Sequence, residues 1–264
     1  MQAFAYATPN TLADAVKFAA EEDAKYMAGG QTLLQSMKLG LIAPSTVVDL
    51  AAIAELKGIR RDGNAIVIGA GCTHAEVAAS AAVQAAIPAL ADLAGHIGDR
   101  QVRNRGTLGG SLANNDPAAC YPAAVLALSA TVHTNQRHVA ADDFFLGMFT
   151  TALEEGELIT AFRFPVPKRA CYEKLRQKAS HFPLVGVFVA QYDSGVRVAI
   201  TGAANGVFRH KGLEDALNKS FTAEAAAGVK IDSTDLNSDL HATAPYRANL
   251  ISVLTQRAVT KALG

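Results

Sequence analysis

Cysteine is scarce in this chain and never clustered. Its three copies, Cys72, Cys120 and Cys171, form no C-x-x-C pair and no C-x-x-C-H haem site, and three scattered thiols cannot supply the four ligands of an iron–sulfur cluster. The odd count also argues against a disulfide framework. The seven histidines, at positions 74, 96, 133, 138, 181, 210 and 241, fall in no H-E-x-x-H or other metal spacing, so no metal site is assigned. Net charge is missing as well: 24 Lys and Arg balance 24 Asp and Glu, which removes the basic footprint of a nucleic-acid binder. Long apolar runs are absent too. The best, Pro122–Ala130, is about half of the ~18 residues of a membrane span and carries Ser129. Met1–Tyr6 lacks a basic stretch followed by a long apolar one, so no secretory signal is expected and a cytoplasmic globular protein is. Chemistry must therefore come from a bound organic cofactor, a partner, or ordinary side chains.

What the chain has is core-forming residues: half of its 264 residues are apolar, enough for one large domain or two modest ones. The opening 57 residues alternate short strands and helices. Phe4–Tyr6, Lys25–Ala28 and Thr46–Leu50 read as strands, Thr11-Leu12-Ala13-Asp14 as the capped start of an amphipathic helix, and Thr32–Leu39 as a second helix. Asp62-Gly63, set between Gly58–Arg61 and Ala65–Ile68, reads as a hairpin turn. Residues 74–128 read as mostly helical, interrupted by an insertion at Gly106–Asp116, and Ala130–His133 with His138–Ala140 as another hairpin. Pro165–Arg169 reads as a linker, because two prolines break both helix and interior strand. Beyond it come strands at Tyr172–Arg176, Leu184–Gln191 and Val196–Ala203, and helices at Lys211–Leu217, Thr222–Val229 and Tyr246–Leu263. The expected fold class is α+β, with residues 1–167 as one domain (subdomains 1–57 and 58–167) and 168–264 as a smaller one.

Two glycine-rich segments stand out, Ala28-Gly29-Gly30-Gln31-Thr32-Leu33-Leu34 and Gly106-Thr107-Leu108-Gly109-Gly110-Ser111 followed by Asn114, Asn115 and Asp116. Glycines free successive backbone N–H groups to converge on an anion, and Thr32, Thr107 and Ser111 add hydroxyls. Two such cradles suit a diphosphate gripped from both sides, although paired glycines also serve simply to end strands and cap helices. Ile66–His74 opens like a dinucleotide fingerprint, but His74 stands where the third glycine belongs and no acidic strand end follows about 20 residues on. No phosphate-binding P-loop pattern occurs. Cys120 reads as a small buried thiol, since neither histidine nor lysine lies near it in sequence. No general base is assigned; His96, His181 and His210 read as surface or structural.

On these residues the chain resembles the FAD-binding medium subunit of the molybdenum hydroxylases, a family that includes aerobic carbon monoxide dehydrogenase and xanthine dehydrogenase. Ala28–Leu34 with Met37-Lys38 is similar to that family's first pyrophosphate loop. Gln101–Asn114, with Asp116-Pro117 following, is similar to its second. Gly156-Glu157-Leu158-Ile159 and Tyr172-Glu173-Lys174-Leu175 also fit. The resemblance implies a two-subdomain FAD-binding fold of the vanillyl-alcohol-oxidase type plus a C-terminal α+β domain. It places Ala28, Gly29, Gly30, Gln31, Thr32, Leu33 and Leu34, with Thr107, Leu108, Gly109, Gly110 and Ser111, on the diphosphate and adjoining ribose. Asn114 and Asp116 would lie near the same site, and Gly98 would let backbone approach the cofactor. Leu158 falls where the family packs the adenine end, Lys178 where a basic side chain reaches the cofactor, and Phe182 beside the isoalloxazine. Three departures stand out: Ser111 where the family loop ends in Asn, and Cys120 and His181 where Asp is common.

The resemblance further implies an electron-transfer subunit with no catalytic side chain of its own. FAD would take electrons from the clusters of a small iron–sulfur subunit and pass them outward. A large subunit would carry the molybdenum cofactor, in a dimer of heterotrimers. Two other readings remain: an assembly subunit with a decayed FAD site, on account of Ser111 and Cys120, and a nicotinamide-dependent dehydrogenase built on the Gly69–Gly71 turn.

Overall fold

The computed structural model describes residues 2–264. Its elements form an α+β arrangement of three main sheets with helices packed between and outside them. The first sheet is parallel, with Thr46–Asp49 flanked by Ala5–Ala7 and Lys25–Met27. The helices Leu12–Ala19 and Leu33–Lys38 make the crossovers that parallel pairing requires. Thr11 caps the first of these by accepting from the Asp14 N–H at 3.1 Å.

Five antiparallel strands form the second sheet, in the order Ile59–Asp62, Ala65–Gly69, Ile159–Pro165, Thr131–Thr134, His138–Ala140. The Asp62-Gly63 hairpin lies where its turn signal puts it. Between the second and fourth of these strands in space, six short helices intervene in sequence. The last of them, Tyr121–Ala127, is buried at every residue, the mark of a helix surrounded by protein.

The third sheet is antiparallel, Arg169–Arg176, Pro183–Tyr192, Gly195–Thr201 and Phe208–Arg209 in order. Period-two alternation sorts its side chains. Tyr172, Phe188, Ala190 and Ala199 join the main core, while Cys171, Val185, Val187, Val189, Val198 and Ile200 join a second core under the helices Lys211–Lys219 and Ala244–Leu263. Both faces are covered, which explains the unbroken apolar run in its central strand. Polar ties reinforce the junction: the Thr201 hydroxyl donates to the carbonyls of Pro117 and Ala119 at 2.8 and 2.7 Å. Arg197 pairs with Asp142 at 2.8 Å.

Two expectations need correction. Pro165 is no linker residue; it closes an interior strand, paired with Ala65, at a strand end where the missing N–H disrupts no further ladder. The connection is only Val166–Lys168. The insertion at 106–116 is not irregular either, because Leu108–Asn114 is helical. Tertiary hydrogen bonds described below hold that glycine-rich turn of helix in place, overriding low propensity. Among the described residues no helix is long and apolar enough to cross a membrane.

Candidate functional site

The first glycine segment leaves the edge strand Lys25–Met27 and turns into the helix Leu33–Lys38. Met37 is buried against Met27 and Val47, with Leu33 and Leu34 packed on the same small cluster. That fixes the helix on the sheet and makes these two leucines packing residues. Gly30 takes a left-handed φ of 68°. The N–H groups of Gly29, Gly30, Gln31 and Thr32 have no protein acceptor among the described residues, and the Thr32 hydroxyl makes no capping bond. Four successive donors thus stand open, in the pattern that suits an anion.

The second segment meets the first directly. A Cβ on Gly29 would come within 2.6 Å of the Arg105 carbonyl carbon and 2.8 Å of the Gly106 Cα, so only glycine lets these backbones touch. A Cβ on Gly110 would stand 3.5 Å from that of Ala28. The two glycine segments, some 80 residues apart in sequence, therefore form one surface.

Their hydrogen bonding differs from the expectation of twin amide cradles. In the second segment the N–H groups of Leu108 and Gly109 donate to the Cys72 and Ala70 carbonyls at 3.0 and 2.8 Å. Gly110 and Ser111 donate to the Thr107 hydroxyl and carbonyl oxygens, each at 3.1 Å. Those four amides are engaged within the protein. What this segment offers a ligand is the Thr107 N–H, the protons of the Thr107 and Ser111 hydroxyls, and the half-buried Asn114 amide. The dinucleotide-like Gly69–His74 stretch supplies the wall behind it. Thr73 bridges Thr107, and a Cβ on Gly109 would overlap Ala70, 2.6 Å from its Cβ. His74 packs under Gly106, its pKa pushed down to about 4 by burial first and by the Arg103 charge second. It stays neutral, with Nδ1 unpartnered and its ring 5.3 Å from that of Tyr121.

The helix Leu108–Asn114, about 10 Å long at 1.5 Å per residue, leads from this surface to a cleft of about 370 Å³. Asp116 and Pro117, the hairpin residues Gln177 and Phe182, and Phe149 and Arg247 are among its lining. At the helix end Asn115 adopts a φ of 44° and donates to the Gly147 and Thr150 carbonyls, both at 2.8 Å, which fixes the short hairpin bearing Phe149. Asp116 accepts from the Ala118 N–H at 2.8 Å. Phe182 is half exposed and Lys178 is exposed. Arg247 is buried on the Leu184 and Gly202 carbonyls and on Asp239.

Gly98 sits at the same junction, its carbonyl 2.9 Å from His181 Nδ1. Leu158 is buried in the main core and exchanges backbone and side-chain bonds with Asn135. The neighbouring Gly156 carbonyl accepts from Tyr26, which brings this turn to the strand ahead of the first glycine segment. Cys120 does have a lysine beside it. Lys174 Nζ stands 3.4 Å from its Sγ, a neighbour invisible to sequence proximity. Lys174, Asn115 and the Ala70 and Arg105 backbones are the site residues that reading the sequence missed. Each stands inside a stretch named above, Asn115 after the second glycine segment, Arg105 within Gln101–Asn114, Ala70 within Ile66–His74 and Lys174 within Tyr172–Leu175, but nothing local in the sequence gives any of them its role.

Known proteins give this geometry its context. Residues 2–167 match the family described as FAD binding domain in molybdopterin dehydrogenase. The chain is 36% identical to the carbon monoxide dehydrogenase medium chain of Hydrogenophaga pseudoflava, over 98% of this chain and 96% of that one. It is also 36% identical to the nicotine 6-hydroxylase medium subunit of Paenarthrobacter nicotinovorans, over 99% and 98%. Among solved structures, quinoline 2-oxidoreductase from Pseudomonas putida 86 superposes with a TM-score of 0.90 at 29% identity, covering 99% of this chain and 97% of that one. The chain belongs to the FAD-binding medium subunits of the molybdenum hydroxylases.

Proposed function

We propose that this chain holds one FAD across the two glycine segments and relays electrons between a partner's iron–sulfur centres and an external acceptor. The observation that carries the reading is the contact of Gly29 with Arg105 and Gly106, which leaves the open amides of residues 29–32 beside the Thr107 and Ser111 hydroxyls. That donor set fits a diphosphate. Open N–H groups take the charged oxygens, and the hydroxyls take the second phosphate or the ribose. Asn114 and Asp116 lie along the path to the cleft, whose Phe182 and Phe149 offer flat apolar walls for the ring system. Lys178, exposed on the turn that carries Phe182, is free to reach the cofactor, and Leu158 is assigned to its adenine end.

FAD supplies the redox chemistry, and the protein binds, orients and tunes it. Among the described residues no group of three His, Cys, Asp or Glu is placed to hold a metal, and the three cysteines are buried and separate. We place the clusters and the molybdenum cofactor in partners, a small iron–sulfur subunit and a large molybdenum subunit, in a dimer of heterotrimers in the cytoplasm; relatives named as medium chains support a multi-subunit setting. We assign residues 1–167, as subdomains 1–57 and 58–167, to cofactor binding and 168–264 to a C-terminal domain, a division supported by the family match ending at 167.

The test is direct. Purified chain should be yellow and release one FAD per chain on denaturation. Colourless protein that still assembles with its partners would favour a decayed site, and quenching of bound NADH fluorescence a nicotinamide enzyme.

A further inference from the structure

We propose that Lys174 is a positioning residue for the flavin. It is an uncompensated cation clamped behind both walls of the cleft, and it makes the bound cofactor easier to reduce. This rests on the FAD reading above.

Lys174 lies on the strand Arg169–Arg176, just ahead of the 177–182 turn that carries Lys178 and Phe182. Its ammonium makes three contacts from three directions. It donates to the His181 carbonyl at 2.8 Å, to the His96 carbonyl at 2.8 Å, and to Cys120 Sγ at 3.4 Å. His181 belongs to the hairpin wall between Ser180 and Phe182, and Cys120 follows the opposite wall at Asp116–Ala118. The third contact, His96, is two residues from Gly98, whose carbonyl lies 2.9 Å from the His181 ring. One side chain thus ties together the backs of both walls and the loop before the second glycine segment.

None of these partners is a carboxylate, and among the described residues no carboxylate oxygen lies within 4.0 Å of Lys174 Nζ. Several other cations that are buried or half-buried are paired: Arg197 and Arg209 share Asp142, and Arg247 takes Asp239, whereas Arg103 beside the same loop binds the Ile97 and Gly98 carbonyls. Carbonyl dipoles and a thiol hold the ammonium without cancelling its charge. In a partly desolvated junction that charge reaches further than it would in water. Two-electron reduction brings negative charge onto the cofactor, so a fixed cation beside the cleft binds the reduced form in preference to the oxidised one.

The experiment is a dye-equilibration measurement of the flavin midpoint potential on the full FAD-loaded chain, for wild type, Lys174→Met, Lys174→Arg and Cys120→Asp. Removing the charge and neutralising it with a carboxylate should act alike. Lys174→Met and Cys120→Asp each shift the ratio of oxidised to reduced affinity by on the order of tenfold, about 30 mV more negative, and Lys174→Arg keeps the wild-type value. A purely structural clamp would respond in opposite senses, loosened by the first change and tightened by the second. Opposite shifts, or unchanged potentials in variants that bind FAD stoichiometrically, overturn the proposal. Should Lys174→Met fail to fold, Cys120→Asp against Cys120→Ser decides it, because all Lys174 contacts remain available. A wild-type chain that takes up no FAD sinks the parent reading and this one with it, an outcome distinct from bound FAD with an unmoved potential.

Discussion

Replacing Gly29 by alanine probes the junction of the two glycine segments with the smallest possible change. Gly29 does not occupy a left-handed conformation, so the backbone itself accepts alanine. The whole effect comes from where the methyl goes. It would lie 2.6 Å from the Arg105 carbonyl carbon and 2.8 Å from the Gly106 Cα, against an ordinary contact of 3.4 Å or more. Both obstacles are backbone, so no side chain can swing aside. The segments must part by close to an ångström, and overpacking of that kind costs about 1–3 kcal/mol. Applied to a ligand held by both segments, the same energy is a loss of roughly 5- to 150-fold in FAD affinity. The assay is titration of FAD-free protein with FAD, followed by quenching of flavin fluorescence, alongside a thermal melt of the FAD-free chain. Gly95→Ala is the control. Its methyl meets only the Ala78 Cβ at 3.8 Å, so affinity should hold and stability rise by about 0.4–1 kcal/mol. A Gly29→Ala protein that binds FAD within twofold of wild type, at an unchanged melting temperature, would show that the segments do not grip a common ligand.

Three other outcomes follow from the same structure. His74, whose pKa burial pushes down to about 4, binds its proton more readily unfolded than folded. Stability should therefore fall as pH drops from about 6.5 to 4, by on the order of 3 kcal/mol; urea titrations of His74→Leu should lack that slope. Glu157 is buried and accepts from Arg137, Thr134 and the Glu154 N–H, and the Arg137 guanidinium foremost pulls its carboxyl down to about 2. The stability it confers is complete above pH ~4.5 and lost between there and about 2. Glu157→Gln should cost about 1–3 kcal/mol at neutral pH and flatten the acid limb of the melting-temperature profile. Asn115→Ala loses two 2.8 Å hydrogen bonds and forces a bulkier-than-glycine residue without Asn's tolerance into a φ of 44°. About 2–4 kcal/mol should go in chemical unfolding, with Asn115→Gly recovering part of it.

The sequence carried most of the local structure and little of what joins it. Hydrophobic alternation and Asp62-Gly63 were sufficient for the second sheet's hairpin, and Thr11 for the first helix start, because those signals act within a few residues. The glycine segments were visible for the same reason. Their roles were not, since the partners that decide them lie far off in sequence: Arg105 for Gly29, Ala70 and Cys72 for the second segment, Lys174 for Cys120. Pro165 misled because its cost depends on where in a strand it falls, and strand ends are fixed by pairing with Ala65 rather than by composition. The helix within Gly106–Asp116 was missed for a related reason. Propensity opposes it, and only the wall at residues 70–74 holds it.

The unequal hydrogen bonding of the two glycine segments has a consequence for how a cofactor is taken up. The second segment is rigid before any ligand arrives, because its amides are bonded to Ala70, Cys72 and Thr107 and Gly109 is pressed on Ala70. The first segment keeps four donors open and rests on a cluster of just three buried side chains, Met27, Met37 and Val47. Ordering energy from binding an anion therefore falls on the first segment, while the second acts as a template that costs little to fix. The Gly29 contact links the two, so the position of the first segment is set by the second and not by the ligand alone. On the proposed reading, a diphosphate would meet open amides on one side and a prebuilt, hydroxyl-bearing wall on the other.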